Sequence, residues 1–533
     1  MTAAGFPVSW EDLKVGAHLL RHLPGFLRSP LAAAEARQLL RRRFEQREAD
    51  FLALMRRAVY ARPDSPYRRL LGLAGCEFPD LHTLVGREGI EKALWTLYRA
   101  GVFLTADEFK GRRPVVRGST TFVVRPEQLR NPGSSVHFTA QTSGSRGART
   151  GVGIDLRGLR DEAADLGVAL DAWGGRGWVH GLWGVPGSWA LKTLLRLSFC
   201  GARPARWFAQ VDPASPELHP RYRLSGYLIR WSSLLAGTAL PQPRYVPLED
   251  PLPVARWMAE VLRSGKTPHL TTFSSSAVRL AQAAAAAAID LRGARFTLGG
   301  EPMTSARLSM IRRIGAEAMP RYSTVESGHI GYGCLAPEAP DDLHLLHDLH
   351  ALVRVEAGEH NDGLPAGALL VTSLRPTAPL VLLNVSLGDQ AVVVPRACGC
   401  PLEAVGWTTH IHSIRSHEKL TAGGMTFADA DVVRVLEELL PARFGGAPAD
   451  YQLVEEESDD GRPRLRLLVH PSVGLLDPDD VARTFLAAIG EGRGPERLMG
   501  LLWRDARLLR VERRAPQATA SGKILHLHQQ RRS

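Results

Sequence analysis

The chain is short of lysine and cysteine, and it contains no long apolar run. Its 533 residues include seven lysines and five cysteines. An odd, small number of cysteines in a chain of this length excludes a disulfide-stapled scaffold and favours a reducing compartment. No stretch reaches the roughly 20 apolar residues of a membrane-spanning helix, and residues 1–14 lack the pattern of a secretory signal. We therefore expect a cytoplasmic protein without a membrane span.

Arginine supplies most of the positive charge, because lysine is scarce. The formal net charge is +11 and the isoelectric point is about 9.7, a range in which a nucleic-acid partner has to be considered. The basic residues are spread along the chain, however, apart from clusters at 37–47 and 529–533. This bias is compositional, so we expect no nucleic-acid partner. A lysine in a suggestive context carries more weight because there are so few of them.

The order of helical and strand-like segments predicts an α/β protein in three parts. Residues 1–114 have apolar positions at helical spacing, which predicts a helical extension packed on the core. Residues 115–414 alternate strand-like runs, including 226–231 and 378–385, with amphipathic helices, which favours an α/β core. Residues 415–533 form a smaller α+β unit that we expect to be a mobile lid, with its hinge near Arg415–Lys419.

Residues 138–150, FTAQTSGSRGART, have the composition of a phosphate-binding loop. Small residues let backbone N–H groups approach an anion closely, and hydroxyl groups add further donors. The stretch is not a Walker loop, because the GxxxxGK[ST] pattern is absent and a strand-like run, GVGIDL, follows it. The alternative for this composition is an ordinary surface loop.

Three further motifs put charged side chains where strands run into loops. The run FTLGGEPMTSAR ends a strand in two glycines, at the sheet edge where α/β proteins bind ligands. Tyr322, Thr324 and Glu326 stand at the next such junction, where a carboxylate is a suitable Mg²⁺ ligand. Asp389 follows an apolar strand in NVSLGDQAV, and Lys523 lies in the polar stretch PQATASGKIL.

Taken together, the stretches TSGSRG, GGEP, YSTVE, LGD and SGK resemble the acyl-adenylate-forming (ANL) superfamily of acyl-CoA synthetases and adenylation domains. They occur in that family's order between residues 138 and 523. The stretches SPYRRLLGLAG and LYRAGVFLTADEFKGR are similar to the branch of phenylacetate-CoA ligases and luciferase-associated acyl-protein synthetases. The resemblance implies a large N-terminal adenylate-forming domain, a small mobile C-terminal domain, and ATP and Mg²⁺ as ligands.

The resemblance also implies a role for each matched position. Lys523 would bridge the carboxylate and α-phosphate oxygens in the transition state, Thr324 would touch the α-phosphate, and Glu326 would hold Mg²⁺. The β- and γ-phosphates of ATP would be bound by Thr142, Ser143, Gly144, Ser145 and Gly147. The adenine would be contacted by Gly300, Glu301, Pro302 and Tyr322. The ribose would be bound by Asp389 and Arg415.

The activity that the resemblance implies is an ATP-dependent acid–thiol ligase. It would adenylate an aryl or acyl carboxylic acid, release pyrophosphate and transfer the acyl group to a thiol, by default that of CoA. A carrier protein is the alternative acceptor, and a non-catalytic acyl- or nucleotide-binding protein is the alternative from another class. Four residues are candidate walls of the acid pocket, with a place in the core as the alternative: Trp183, Trp189, His329 and Tyr332.

The chain departs from the family pattern at two places. Thr150 stands about where the family's phosphate loop has a lysine, and Arg146 or Arg149 is available to supply the positive charge. The hinge reads RSHEK, in which Glu418 is the candidate for the acidic residue that usually follows the arginine. The motifs therefore do not single out the residue that closes the phosphate loop or the residue at which the hinge turns.

A second constellation of residues suggests a metal site, with Cys334, His344, Cys398 and Cys400 as its ligands. Three thiolates and one imidazole match a tetrahedral zinc site, and sites of this composition are usually structural. His347 and His350 are neighbouring alternatives for the imidazole, and metal-free reduced cysteines are the alternative to zinc. Such a site would join two loops near the active cleft without offering an open coordination position.

Overall fold

The computed structural model describes residues 10–141, 151–212, 230–231, 233–356, 363–416, 420–422, 425–427, 429–457, 463–490, 509–518 and 523–530. Two predicted features lie outside these residues. One is the hinge segment 417–419. The other is the candidate phosphate loop, with Thr142, Ser143, Gly144, Ser145 and Gly147.

Helices make up the described chain ahead of the first strand, as the spacing of its apolar residues predicts. They are α1 (Trp10–Arg28), α2 (Ala33–Glu45), α3 (Arg47–Met55), α4 (Pro66–Leu73), α5 (Phe78–Glu88), α6 (Ile90–Arg99) and α7 (Ala106–Phe109). A π-helical turn, Arg56–Tyr60, continues α3. Phe51, Leu54 and Met55 of α3 are fully buried, so this face belongs to the main core of the protein.

Strands and helices then alternate. The strands and helices in chain order are β1 (Val115–Arg117), β2 (Thr120–Phe122), β3 (Phe138–Gln141), β4 (Gly151–Ile154), α8 (Leu156–Ala172), β5 (Val179–Gly184), α9 (Ser188–Phe199), β6 (Pro204–Ala209), β7 (Pro243–Tyr245), α10 (Leu252–Arg263), β8 (Pro268–Phe273), α11 (Ser274–Ala286), β9 (Arg295–Gly299), α12 (Ser305–Arg313), β10 (Glu317–Thr324), β11 (Gly328–Gly333), β12 (Leu343–Leu345), β13 (His350–Arg354), β14 (Ala368–Ser373), β15 (Val385–Pro395) and β16 (Thr409–Ser416).

Within the described residues, twelve of these strands form one mixed sheet in the order β13-β14-β15-β16-β12-β11-β10-β9-β8-β5-β6-β7. The half from β10 to β7 is parallel, and the half from β13 to β11 is antiparallel. Every residue of β8 is buried, as expected for a parallel strand that is covered on both faces. The α/β class predicted from the sequence is confirmed.

Three neighbouring parallel strands bring the central motifs to one edge of the sheet. Phe273 at the end of β8 is in register with Gly299 at the end of β9, and Gly299 is in register with Arg321 on β10. Their carboxyl ends therefore meet at the same edge, which is where open α/β sheets bind ligands. The GGEP and YSTVE motifs both leave the sheet there.

The C-terminal part is a separate α+β unit with its own core, as predicted. It contains β17 (Leu420–Ala422), β18 (Met425–Phe427), α13 (Asp429–Arg434), α14 (Leu440–Phe444), β19 (Tyr451–Glu457), β20 (Pro463–Val469), α15 (Pro478–Gly490), β21 (Leu509–Arg513) and β22 (Leu527–Gln530). A π-helical turn, Val435–Leu439, joins α13 to α14. The strands β21-β20-β19-β22 form one sheet, which packs on buried residues such as Leu436 and Phe485.

One strand prediction is wrong, and a second falls mostly outside the described residues. The run 378–385 contains an isolated bridge at Leu380, and its strand begins only at Val385. Asn384 has a positive φ of 50° and donates its side-chain amide to the carbonyls of Leu94 and Val102, which interrupts regular pairing. In the run 226–231, the described residues 230 and 231 are helical. Among the described helices, none is long and apolar enough to cross a membrane.

Candidate active site

Glu301 holds the loop after β9 against three other segments. Its Oε2 accepts hydrogen bonds from the backbone N–H of Ser275 at 2.8 Å and from Arg307 Nη1 at 2.8 Å. Its Oε1 accepts from Ser275 Oγ at 2.8 Å and from the backbone N–H of Ile524, in the C-terminal unit, at 3.0 Å. The carboxylate of Glu301 is thus occupied by protein partners, and the adenine contact predicted for Gly300, Glu301 and Pro302 stays a prediction.

Lys523 enters the core from the C-terminal unit. A Cβ atom built on Gly300 would lie 3.1 Å from Lys523 Cε, so the lysine stem passes over bare backbone. Gly300 also has a φ of +80°, a conformation that residues with side chains rarely adopt. Burial lowers the pKa of Lys523, and the carboxylates of Glu301, Asp389 and Glu326 oppose that shift. The ammonium group is therefore within electrostatic reach of three predicted site carboxylates.

Tyr322 and Asp389 meet at the predicted ribose position. The Tyr322 hydroxyl donates to Asp389 Oδ2 at 2.6 Å, and burial together with the Asp389 carboxylate raises the pKa of Tyr322. Asp389 on β15 is in register with Ser416 on β16, next to Arg415. Arg415 Nη1 donates to Asp341 Oδ2 at 3.2 Å and to the carbonyl of the preceding residue. The guanidinium group is therefore held by the segment that precedes β12.

Thr324 and Glu326 occupy the turn between β10 and β11. Thr324 Oγ1 accepts a hydrogen bond from the backbone N–H of Ser327 at 3.0 Å and lies 2.9 Å from Ser327 Oγ. Glu326 is partly exposed at the same turn. A partly exposed carboxylate at a sheet edge is the type of oxygen ligand that Mg²⁺ prefers.

A buried ion-pair network docks the C-terminal unit on the core. Arg307 Nε donates to Glu437 Oε1 at 2.6 Å, and Arg307 Nη2 lies 3.1 Å from His526 Nε2. Thr304 and His526 also contact the Glu437 carboxylate. Arg307 and His526 hold the pKa of Glu437 at about 2 despite its burial. His526 is three residues from Lys523, so this network fixes the arrangement that presents the lysine to the core.

The members of this docking network were not predicted from the sequence. Arg307 and Glu437 lie 130 positions apart, and each is an ordinary charged residue of an amphipathic helical pattern. The GGEP motif pointed to the neighbourhood, because Arg307 also pairs with Glu301. A signal for the pairing itself is not present in one sequence.

Cys334, His344, Cys398 and Cys400 converge as the sequence predicts. One ligand atom from each lies within 4.8 Å of all the others. His344 Nδ1 lies 2.6 Å from the carbonyl of Trp407, so Nδ1 is the protonated nitrogen and Nε2 faces the thiols. Nε2 is 3.2 Å from Cys400 Sγ and 3.7 Å from Cys398 Sγ.

The surroundings of these four residues fit a structural zinc site. Backbone N–H groups point at two of the sulfur atoms, that of Ala336 at Cys334 Sγ (3.3 Å) and that of Cys400 at Cys398 Sγ (3.5 Å). The contact from the Trp407 carbonyl to the distal nitrogen of a ligating imidazole is the usual support for a metal-bound histidine. The alternative imidazoles point elsewhere, His347 to the backbone of Thr409 and His350 to that of His329.

The four candidate residues of the acid pocket separate into core and surface. Trp183 and Tyr332 are fully buried, and His329 is 2% exposed. Trp183 donates its indole N–H to a backbone carbonyl at 2.9 Å, which marks it as a core residue. Trp189 is partly exposed and stacks on Phe273, with ring centroids 5.2 Å apart. Of the four, Trp189 is the one whose ring can face a ligand directly.

No protein-family model and no curated protein matches this chain. Among solved structures, the 2-hydroxyisobutyryl-CoA ligase in complex with 2-HIB-AMP and CoA is 16% identical, with a TM-score of 0.44 over 94% of this chain and 91% of that chain. The anthranilate CoA ligase AuaEII with anthranoyl-AMP is 12% identical, with a TM-score of 0.43 over 73% and 65%. The McyG A-PCP structure with phenylalanyl-adenylate is 12% identical, with a TM-score of 0.42 over 77% and 59%.

Proposed function

We propose that this chain is an AMP-forming acid–thiol ligase that activates a carboxylic acid with ATP. The observation that carries the proposal is the position of Lys523, brought by the C-terminal unit to the bare backbone of Gly300 and within reach of Glu301, Asp389 and Glu326. A cation held at the edge where parallel strands end is suited to a reaction that builds negative charge on a phosphate.

In the first half-reaction, a carboxylate oxygen of the acid attacks the α-phosphorus of ATP. A new P–O bond forms, the bond to the β-phosphate bridge breaks, and the electron pair leaves with pyrophosphate. Lys523 donates N–H hydrogen bonds to the acid carboxylate and the α-phosphate, and the Thr324 hydroxyl donates a hydrogen bond to the same phosphate. Asp389, held by Tyr322, accepts from the ribose hydroxyls. Mg²⁺ held by Glu326 would supply charge neutralisation of the phosphates.

In the second half-reaction, a thiol sulfur attacks the acyl carbon of the acyl-adenylate. A C–S bond forms, the C–O bond to AMP breaks, and the thiol proton is lost. CoA is the proposed acceptor, and the phosphopantetheine arm of a carrier protein is the alternative. Residues 415–533 contain no cysteine, so the C-terminal unit offers no thiol of its own for self-acylation.

A structural Zn²⁺ at Cys334, His344, Cys398 and Cys400 is part of the same proposal. Four protein ligands leave no open position, so the ion would join the end of β11 to the loop between β15 and β16 and take no part in the chemistry. The support for it is the convergence of the four ligand atoms within 4.8 Å.

The test of the ligase proposal is acid-dependent exchange of labelled pyrophosphate into ATP, with a panel of aryl, fatty and dicarboxylic acids. Each active acid is then incubated with ATP and either CoA or a phosphopantetheinylated carrier protein, and the acyl product is identified by mass spectrometry. We expect exchange with at least one acid and a thioester with one acceptor. Absence of exchange by folded protein across the panel would reject the ligase function.

A further inference from the structure

A cluster of buried charges adjoins the Lys523 site, between α8, α9, β10 and β11. Lys192 and Arg196 on α9 both pair with Glu162 on α8. Lys192 Nζ lies 3.6 Å from Glu162 Oε1, and Arg196 Nη1 lies 2.7 Å from Glu162 Oε2. Arg321 on β10 is the third cation. We call Glu162, Lys192, Arg196 and Arg321 the Lys192 cluster.

Arg321 connects the Lys192 cluster to the active site. A Cβ atom built on Gly299 would lie 3.5 Å from Arg321 Nη2, so the guanidinium group rests on the end of β9, one residue before Gly300. Arg321 also acts electrostatically on Lys523 and on Arg196. The cluster and the lysine of the proposed adenylation site therefore share one neighbourhood.

The Lys192 cluster has more positive than negative charge. Within the described residues, the ion pairs of Lys192 and Arg196 both lead to Glu162, and no ion pair of Arg321 is found. Arg196 and Arg321 are 3% and 8% exposed, and the Nε atom of each has no hydrogen-bond partner among the described residues. Burial and Arg196 lower the pKa of Arg321 to about 10, which still leaves it charged at neutral pH.

The histidine that contacts the cluster does not offset this excess. His329 contacts Arg196, and burial and the surrounding cations hold the pKa of His329 well below its ordinary value, so it is neutral. Burial also lowers the pKa of Lys192. Even with a neutral lysine, two buried arginines face one carboxylate. An uncompensated buried charge is costly, and an arginine does not relieve the cost by losing its proton.

Two side chains of the Lys192 cluster reach solvent. The side chains of Lys192 and Glu162 are each 12% exposed, and Trp189, one turn before Lys192 on α9, is partly exposed. Glu162 also borders the turn that carries Glu326, because a Cβ atom added to Gly328 would collide with Glu162 Oε1. An anion bound to the cluster would thus lie near the proposed Mg²⁺ ligand.

We infer that the carboxylic acid activated by this chain carries a second anionic group, a carboxylate or a phosphate, that binds to Lys192, Arg196 and Arg321. The inference rests on the proposed function, since it names the substrate class of that site. Arginine presents a planar fork of N–H donors that matches both groups. An anion bound there would pair with the two unpartnered Nε edges or with the outer guanidinium N–H groups, and it would balance the excess charge.

The test compares acids of matched skeleton that differ in the second anion: hexanoate, adipate and 6-phosphonooxyhexanoate, and benzoate and terephthalate. Pyrophosphate exchange is measured for the native chain, for Lys192→Met, which keeps the length of the side chain, and for Lys266→Met, an exposed control. We expect dianionic acids to have a higher kcat/KM by about 10- to 100-fold, and Lys192→Met to remove most of this preference. The comparison of adipate with 6-phosphonooxyhexanoate identifies whether the second anionic group is a carboxylate or a phosphate.

A binding measurement separates failure of this inference from failure of the ligase function. Adipate and 6-phosphonooxyhexanoate are titrated without ATP, and the thermal unfolding midpoint is followed for the same three proteins. If no acid supports exchange but a dianion stabilises the native chain and not Lys192→Met, the anion site stands and the ligase function fails. Equal exchange for mono- and dianionic acids, or dianions that neither react nor bind, would overturn the anion site.

A second inference rests on a different group of residues, three histidines where α1 packs near β3. His18 and His22 are one helical turn apart on α1, and His137 immediately precedes β3. One ring nitrogen from each lies within 4.8 Å of the other two. The ring centroid of His18 is 4.4 Å from those of both His22 and His137.

The contacts of these histidines leave ring nitrogens available to an ion. His22 Nδ1 lies 2.9 Å from the carbonyl of His18, so Nδ1 is the protonated nitrogen and Nε2 carries the lone pair. His137 Nδ1 lies 3.2 Å from the carbonyl of Ser135, 3.3 Å from the backbone nitrogen of Leu156 and 3.7 Å from Asp155 Oδ1, so the contacts of this nitrogen fix the position of the ring. His137 is buried while His22 is exposed, so an ion could enter from solvent.

We infer that His18, His22 and His137 bind a divalent transition metal ion of the kind that imidazole ligands suit, Zn²⁺, Ni²⁺ or Cu²⁺. Three nitrogen donors leave at least one coordination position open. The bound ion would tie the N-terminal helix to the strand that leads into residues 142–150.

The test is equilibrium dialysis of the chelator-treated full chain against Zn²⁺ and Ni²⁺, with metal content measured by mass spectrometry. In a Cys398→Ser/Cys400→Ser background, we expect one ion per chain, and loss of that ion when His22→Ala or His137→Ala is added. His82→Ala, at an exposed histidine on α5, is the matched control and should retain the ion. No bound ion in the double-serine background, or an ion that persists in both histidine variants, would overturn the inference.

Discussion

Helix α8 contributes carboxylates to two buried charge clusters of opposite composition. In the first, Arg43 of α2 pairs with Asp161 and Asp165 of α8 and with Asp348, at 2.8, 2.9 and 2.9 Å. We call these four residues the Arg43 cluster; it has one cation and three carboxylates. The Lys192 cluster, which uses Glu162 of the same helix, has three cations and one carboxylate.

The excess of negative charge in the Arg43 cluster and the excess of positive charge in the Lys192 cluster are neutralised in different ways. A carboxylate can take up a proton, and burial together with Asp348 raises the pKa of Asp165 well above its ordinary value. The Arg43 cluster can therefore satisfy itself and serve as a structural joint between α2 and the core. Arginine does not lose its proton, so the Lys192 cluster needs an anion from outside the chain. An excess that the chain cannot neutralise marks a binding site.

The largest effect is expected when Arg43 is replaced by methionine. The three carboxylates would lose the cation that they share, and only Asp161 would keep a longer ion pair, with Arg375 Nε at 3.9 Å, among the described residues. Breaking a buried pair in this way costs about 3–5 kcal/mol of the free energy of unfolding. Urea unfolding followed by circular dichroism measures the change. Arg37→Met removes an exposed pair with Asp171 and should cost less than about 1 kcal/mol. Equal effects of the two substitutions would contradict a structural role for the Arg43 cluster.

Lys523→Ala should lower the rate of adenylation by about 10²–10³, because it removes one donor to the transition state. The thermal midpoint should change little, since the docking of the C-terminal unit depends on Arg307 and Glu437. Pyrophosphate exchange measures the rate, and Lys266→Ala is the exposed control. Activity of Lys523→Ala within a few-fold of the native chain would mean that Lys523 does not act in the transition state, and its proposed role would be rejected.

The cysteine cluster extends the comparison to a group of thiols that an external cation would hold as thiolates. We expect purified protein to hold about one Zn²⁺ per chain at this site, and Cys398→Ser/Cys400→Ser to lose that ion. A chelator should lower the thermal midpoint of the native chain by more than that of the double variant. Zinc that persists in the double variant at the native amount would contradict the assignment.

The sequence predicts local features of this molecule far better than distant pairings. The GGEP and YSTVE motifs can be located because each joins a strand to the loop that follows it, and the rarity of lysine singles out Lys523. The cysteines could be grouped by type, but the choice of His344 over His347 and His350 needed the register of β12, which pairs His344 with Tyr332 and with His410.

Long-range charge pairs were beyond the sequence analysis for a physical reason. Arg43 and Asp348 are 305 positions apart, and each resembles any other surface charge until the chain has folded. The strand predicted at 378–385 failed because the contacts of Asn384 with the 94–102 region override local β propensity. The roles of the site residues remain predictions that the experiments above address.

The smallest predicted effect tests the protonation of Asp165. A carboxyl whose pKa is raised on folding stabilises the protein at low pH, and this contribution is lost as the pH rises through the folded-state pKa. From pH 5 to pH 8, the native chain should therefore lose more of its free energy of unfolding than Asp165→Asn, whose amide does not titrate. Urea unfolding at both pH values measures this, with Asp171→Asn at a less buried pair as the control. An identical pH dependence in Asp165→Asn and the native chain would mean that the Arg43 cluster keeps all three carboxylates charged. The Arg43 cluster would then not neutralise its own excess charge, and its contrast with the Lys192 cluster would be lost.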